Sequence, residues 1–391
     1  MTFTDLEEGR SALGRSLLAR KDLTSDWVPS FAAVPRAAFL PDVMWPYDMD
    51  TGTTVEADRR EDPAAWQRYA DADVPIVTQW DDGDSHGHGT LSTSSASMPS
   101  VVFRMLRDLD VEAEQRVLEI GTGTGWNAAL LAHRLGRDNV VSIEIDPNVA
   151  AAARDRLARF GSPLLVLTRD GALGDERCAP YDRIIATAGV RCIPPAWLAQ
   201  TRPGGLVVAP WGTHYSNQDA IARLTVAQDG ASASGHFTGP VQFMKLRAQR
   251  LPFAGHQEYV PDGVADAERS TTTVTEGELL GEGRFNATTY AIGLRVRNCY
   301  QQAARKREGA RPVWFYDLAG RSWACVMFRD GEPEATVYQS GPRKLWDEVH
   351  AALRWWQGSG RPGYERFGLT VTAEGAQHVW LDNPDDEPWP V

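Results

Sequence analysis

Three alternating glycines, Gly121, Gly123 and Gly125, lie between Glu119 and Asn127 and are the part of this chain best suited to hold a ligand. The apolar run 117–120 leads into them, and 127–135 reads as a helix leading away. Without Cβ atoms the backbone can turn sharply there and a ligand can come close. The start of the helix offers free N–H groups and the positive end of its dipole. A second apolar run, 140–145, carries Glu144 near its end, where an acid can take ribose hydroxyls in a doubly wound nucleoside site. Elsewhere, the hydroxyl-rich run Ser92, Thr93, Ser94, Ser95 and Ser97 precedes an apolar helix pattern with Val101, Val102, Met105 and Leu106. His86 and His88 stand in a glycine-interrupted acidic stretch, 81–89, far from any cysteine. That stretch reads as a mobile loop over the site, and no metal is expected.

These groups need a scaffold. Strand patterns at 116–120, 140–145, 164–168, 183–186 and 205–209 alternate with helix patterns at 127–135, 147–159 and 194–201. Such alternation predicts an α/β fold, a doubly wound parallel sheet with helical crossovers. Residues 1–110 open with helical spacing (Leu13, Leu17, Leu18) and continue into a polar segment, 48–97. Beyond 251, strand-like runs at 312–317, 322–328, 334–339 and 367–371 flank a helix near 344–356, with Leu345, Val349, Ala352, Leu353 and Trp356 on one face. The expected division is a substrate-side segment at 1–110, a nucleoside-binding core at 111–250 and an additional C-terminal α+β domain at 251–391. Trp314, Trp323, Trp346, Trp355, Trp356, Trp380 and Trp389 all fall in that last part and read as packing rather than a ligand box.

The net charge of −12 argues against a surface that tracks phosphates, so no nucleic-acid partner is expected. No apolar run is long enough to span a bilayer, and the N-terminus lacks a charged–apolar–small leader. Cys178, Cys192, Cys299 and Cys325 are widely spaced and read as reduced thiols. A cytoplasmic protein without a membrane partner is the expectation.

The glycine spacing selects among nucleosides. In a dinucleotide fingerprint counted from Gly121, the sixth position is Trp126, which fails; counted from Gly123, Ala128 fits only if the first glycine comes two residues late. The G-x-G-x-G form resembles the S-adenosylmethionine loop of class I methyltransferases. Further elements, taken in order, resemble the protein-L-isoaspartate O-methyltransferases over roughly residues 5–250. Val34-Pro35-Arg36-Ala37-Ala38-Phe39-Leu40-Pro41 is similar to that family's V-P-R-x-x-F-x-P element, and Ser97-Met98-Pro99 to its S-x-P active-site element. Arg169-Asp170-Gly171 resembles its D-G step, Tyr181 to Ala188 its Y-D-x-I-x-x-x-A strand, and Ile193-Pro194-Pro195 through Pro203-Gly204-Gly205 its I-P … P-G-G segment. Val241-Gln242-Phe243 resembles its closing strand.

The resemblance implies a class I, Rossmann-like methyltransferase with S-adenosylmethionine as cofactor. The expected cofactor-binding residues are Glu119, Gly121, Thr122, Gly123, Gly125, Asn127, Glu144, Ile145, Asp170 and Gly171. Among them Glu144 would take the ribose and Asp170 the adenine amine, while Glu119 lies near the methionine end or orders the glycine loop. Methyl transfer to a carboxylate needs little acid–base help, because the carboxylate is already ionised at neutral pH. Catalysis is then largely positioning. Ser97 is the expected holder of the acceptor carboxylate, with Ser95 and Ser94 as neighbours in the same role; Ser97 or Ser100 is also placed to cap the helix that follows. The hydroxyl-rich run, the acidic segment 48–84 and the chain beyond Phe243 resemble longer homologues that modify ribosomally made peptides such as graspetides, lanthipeptides and lasso peptides. That resemblance implies methylation of an Asp or isoAsp side chain in a cyclised precursor peptide, leading to an aspartimide. The alternative is general isoaspartate repair.

Overall fold

The computed structural model describes residues 8–85 and 87–391. Five strands, Val117–Ile120, Val140–Glu144, Leu165–Thr168, Tyr181–Ala186 and Thr201–Trp211, run parallel, as the alternating pattern predicts. Across the sheet they stand in the order 165–168, 140–144, 117–120, 181–186, 201–211. The chain therefore winds outward from 117–120 first to one side and then to the other. That reversal leaves a crevice at the carboxyl end of 117–120, where ligands of open α/β sheets bind. The glycines begin at that point.

Period-two alternation sends neighbouring residues of each strand to opposite faces. Val117, Val140, Val166, Ile185 and Val208 join one apolar cluster with Phe103, Leu106, Leu130 and Leu157 from the helices Pro99–Leu109, Trp126–Leu135 and Pro147–Arg159. The N-terminal helix Glu8–Ala19 adds Leu13 and Leu17 to that face. Leu118, Val141, Ile184 and Val207 point the other way and pack with Trp197, Tyr290 and Leu353.

The sheet continues beyond the parallel strands. Asp219–Val226 and Ser232–Val241 add antiparallel strands, and the chain returns at its end with Phe367–Thr372, Gln377–Leu381 and Trp389–Pro390 to make ten strands in all. Between these visits, Glu268–Thr272, Cys299–Ala303, Ala310–Asp317, Trp323–Arg329 and Ala335–Ser340 form a separate antiparallel sheet. The C-terminal part is thus mixed α and β, but the division expected at 250/251 does not divide the core. Tyr290 on helix Ala287–Arg295 packs its ring against Phe237 of the central sheet, 5.5 Å away, and Trp346 on helix Leu345–Gly358 packs against Phe315 of the second sheet at 6.1 Å. Both helices belong to one apolar cluster with both sheets. The strand expected at 367–371 pairs with 232–241 and not with its sequence neighbours. None of the seven C-terminal tryptophans is exposed, and Trp323, Trp346, Trp356 and Trp380 are buried.

The polar segment 48–97 is more ordered than its composition suggests. Val43–Asp48, Ile76–Trp80 and Ser92–Ala96 pair antiparallel, with short strands at 53–54 and 57–58. Among the described residues, no helix is long and apolar enough to cross a membrane.

Candidate active site

The glycine loop is built around two contacts that exclude any side chain. Gly121 has φ +97°, and a Cβ there would lie 2.8 Å from Thr187 Oγ1, whose hydroxyl donates to the Gly121 carbonyl. A Cβ on Gly171 would come within 2.4 Å of the Ile120 side chain, so the glycine of the D-G step lets that turn close onto the end of the first strand. Asp170 caps the turn by accepting from Ala172 N at 2.9 Å. Glu144 accepts from Gly123 N at 2.9 Å and from Asp146 N at 3.1 Å, so its carboxylate is fixed against the loop, and burial raises its pKa. Gly125 is the N-cap of the following helix, which begins at Trp126, one residue earlier than its pattern predicts.

Glu119 lies beneath this loop. It is fully buried and accepts from Asn127 Nδ2 at 2.7 Å and from the Ser142 hydroxyl, which also meets Thr122 Oγ1 at 2.6 Å. Of the two expectations for Glu119, the geometry fits ordering of the glycine loop. Burial pushes its pKa up to about 7.

One cavity of about 960 Å³ runs along this edge of the sheet. It brings together Gly121, Thr122, Gly123, Asn127, Glu144, Ile145, Asp170 and Gly171 with Ser94, Ser95 and Ser97. Glu119 and Gly125 are not in its wall. The hydroxyl run approaches closely, since a Cβ on Gly123 would sit 3.5 Å from the Ser95 carbonyl oxygen. Ser94 accepts from Thr78 Oγ1 at 3.3 Å, whereas the Ser95 and Ser97 hydroxyls have no protein partner among the described residues. The helix cap is not a serine: Met98 occupies the N-cap without a side-chain bond, and Asp73 accepts from Ser100 N at 2.8 Å. Asp73 takes that role because it reaches the helix start from the neighbouring segment, leaving Ser97 free of it.

Arg36 connects these parts. Its buried guanidinium donates to the carbonyls of Val74, Ala96 and Ser97, each at 2.9 Å, and to that of Ala72 at 3.3 Å. It also lies over the Trp126 ring, 5.7 Å from its centre, while Trp126 Nε1 donates to the Val34 carbonyl at 3.1 Å. The Val34–Pro41 element thus ties the hydroxyl-bearing strand to the residue that follows the glycine loop. Burial draws the arginine's pKa down to about 9, so it stays charged at neutral pH.

Several wall residues were not expected from sequence. Arg191, His214 and Lys245 line the cavity, and Arg247 and Arg250 line it where they meet the hairpin loop. Asp82 accepts from Arg250 at 2.7 Å and pairs with Arg247 at 3.1 Å, and Arg247 also reaches Asp146 at 2.7 Å. The loop expected to cover the site is therefore pinned by ion pairs. Arg284, far along the chain, donates to the Met49 carbonyl at 2.7 Å and to the Tyr47 hydroxyl at 3.1 Å. His88 meets Thr54 Oγ1 at 2.9 Å and stacks near Trp80, whereas His86 lies outside the described residues. Signals for the wall residues are absent locally because each acquires its neighbours only through the fold.

A family model described as "Protein-L-isoaspartate(D-aspartate) O-methyltransferase (PCMT)" matches residues 63–250. A protein-L-isoaspartate O-methyltransferase of Anaeromyxobacter dehalogenans strain 2CP-1 is 38% identical over 182 residues, covering 46% of this chain and 78% of the relative. One from Pyrococcus horikoshii is 36% identical over 182 residues, covering 46% and 76%. A solved structure titled protein-L-isoaspartate O-methyltransferase has a similar fold, with a TM-score of 0.53 at 20% identity, over 96% of this chain and 100% of that one. Chain length beyond Phe243 therefore does not set this fold apart from a protein bearing the plain family name. With the glycine loop, the acid beside it and these relatives taken together, the chain belongs to the protein-L-isoaspartate(D-aspartate) O-methyltransferase family, and its cofactor is S-adenosylmethionine.

Proposed function

We propose that this protein methylates the free carboxylate of isoaspartyl residues in proteins and peptides, the general form of the family's activity. The observation that carries the reading is the pair of hydroxyls, Ser95 and Ser97, without a protein partner among the described residues and in one cavity with the glycine loop, Glu144 and Asp170. When bound, the cofactor supplies an electrophilic methyl group on a sulfonium. Glu144, already held against Gly123 N, would take the ribose hydroxyls, and Asp170 would face the adenine. The loop amides and Asn127, oriented by Glu119, would meet the methionine end. Ser97, with Ser95, donates to one oxygen of the acceptor carboxylate and leaves the other to react. No general base is required, because the carboxylate is ionised. Neutral donors suit this role, since they orient a nucleophile without strongly damping its charge.

A second reading, methylation of an Asp in a cyclised precursor peptide with later closure to an aspartimide, draws support from the cavity wall. Arg284 and Phe285 of the C-terminal part line the cavity with Tyr47 and Met49, a frame able to select a shaped peptide. The names of the relatives support general isoaspartyl substrates more strongly. The test is transfer of labelled methyl groups to an isoaspartyl peptide and to its Asp isomer, read as base-labile methyl ester. Incorporation into the isoaspartyl peptide alone supports the proposal, and Ser97→Ala should lower kcat. Absence of base-labile label from both peptides would overturn it, and label on a constrained Asp peptide alone would favour the second reading.

A further inference from the structure

On the side of the glycine loop away from Glu144 and Asp170, two cations share one carboxylate. Asp219 is fully buried and accepts from Arg191 Nη1 at 3.2 Å and from the Lys245 ammonium; the cation side chains are only 10% and 11% exposed. Lys245 also donates to the Phe243 carbonyl at 3.0 Å. Both cations and His214 line the cavity, while Asp219 lies behind them. Arg191 Nε and His214 Nδ1 are buried without a protein partner among the described residues. Arg191 and Lys245 help to hold the His214 imidazole neutral, after desolvation as the larger cause, with its pKa down at about 4. The group therefore carries one net positive charge. A network that served structure alone would more economically balance its charges, because a buried excess charge is costly.

The sheet order separates this group from the nucleoside acids. Glu144 ends strand 140–144 and His214 follows strand 201–211, three strand spacings away, or about 14 Å at roughly 4.8 Å each. Arg191 follows the intervening strand 181–186, next to the glycine-loop strand. Gly189 links the two regions: it pairs in parallel with Lys245, while Thr187 and Ala188 adjoin Gly121. The Ser95 carbonyl approaches Gly123 in the glycine loop between them, and Ser95 and Ser97 line the same cavity as the cations.

Charge logic decides what the cations hold. The reacting carboxylate loses its charge as the methyl arrives, so a full cation on it would favour the ground state over the transition state. The serines suit the reacting group, and the cation pair suits an anion that does not react. Resting on the function proposed above, we infer that Arg191 and Lys245, positioned by Asp219, form a subsite for a second carboxylate of the substrate, an acidic side chain or chain terminus within about three residues of the methyl acceptor. Three residues of extended peptide span about 10 Å, or about two strand spacings.

The experiment uses the full chain and a set of isoaspartyl peptides that differ by a single Glu or Gln at each of three positions on either side of the acceptor. At one position or more, the Glu peptide should show a kcat/KM at least fivefold above its Gln partner, through KM and not kcat. The preference should shrink to within twofold in Lys245→Met. Equal kcat/KM for every pair in the wild-type protein overturns the subsite while leaving isoaspartyl methylation standing. If no peptide is methylated, the proposed function falls and the subsite with it. Should Lys245→Met fail to fold, the wild-type pairs and their response to salt still decide: added salt should erode the Glu preference, and a salt-independent preference would count against the cations.

Discussion

Replacing Arg36 tests whether the Val34–Pro41 element organises the acceptor side of the site. In Arg36→Met the methylene stem is approximated, but three hydrogen bonds of 2.9 Å and one of 3.3 Å to backbone carbonyls are lost. Charge-assisted bonds contribute about 1.5–3 kcal/mol each, and removing the charge returns part of that gain by ending its desolvation. The three 2.9 Å contacts share the two protons of Nη2, so with about two full bonds and partial compensation the expected loss is about 3 kcal/mol. Lysine keeps the charge but lacks the planar fork that brings Nη2 to three carbonyls and Nη1 to the fourth, so Arg36→Lys should lose less, about 1–2 kcal/mol. The local consequence is more specific than the global one: the Ala96 and Ser97 carbonyls lose their anchor, so kcat should fall while the affinity for S-adenosylmethionine changes little. Urea unfolding gives the stability and isotope-labelled methyl transfer gives kcat. A stable Arg36→Met protein with unchanged kcat would refute the idea that this guanidinium sets the serine geometry. A matched loss of cofactor affinity would instead mean that the effect travels through Trp126.

Other expectations concern the cofactor side and the pinned loop. Glu119 keeps its proton up to about pH 7 in the fold but releases it near 4.5 when unfolded, so its contribution is complete below the lower value and declines as pH rises to the upper one. Glu119→Gln should remove this slope, worth about 3 kcal/mol, from unfolding measured between pH 4.5 and 7; an unchanged slope would exclude the residue as its source. Glu144→Gln should raise KM for the cofactor about 10–100-fold, the loss of one charge-assisted contact, with kcat at saturation held within threefold. Asp82→Asn should speed hydrogen exchange across 81–91 with under about 1 kcal/mol lost globally, because its ion pairs are partly exposed. Exchange as slow as in the unaltered chain would mean that the ion pairs do not hold the loop.

The parallel core was legible because each of its strands is a short apolar run bounded by a turn or helix signal. The glycine loop was legible because its spacing is local. The strand Ser92–Ala96 was not, since its side chains are nearly all hydroxyls and carry no apolar alternation. Gln377–Leu381 mixes polar and apolar residues and Glu268–Thr272 is polar throughout, because each lies toward an edge of its sheet. Arg191, His214, Asp219 and Lys245 are scattered over more than fifty residues, so only the meeting of strand ends and loops brings them together. The closing strand, placed near 241–243 by resemblance, in fact runs Ser232–Val241. Serine capping of the helix after Ser97 failed as an expectation because Asp73 was nearer in space than any serine suggested by sequence order.

The return of the chain end to the central sheet has a practical consequence for dissecting this protein. Residues 242–366 are an excursion out of one continuous sheet, since strand 232–241 pairs directly with 367–372. A truncation at 250 would remove three strands and the helices that cover one face, leaving 232–241 as a bare edge with open N–H and C=O groups. Such an edge invites pairing between molecules and aggregation. A shortened enzyme that precipitates would therefore say nothing about substrate selection. The informative deletion keeps both partners of that strand pair and bridges the gap between them.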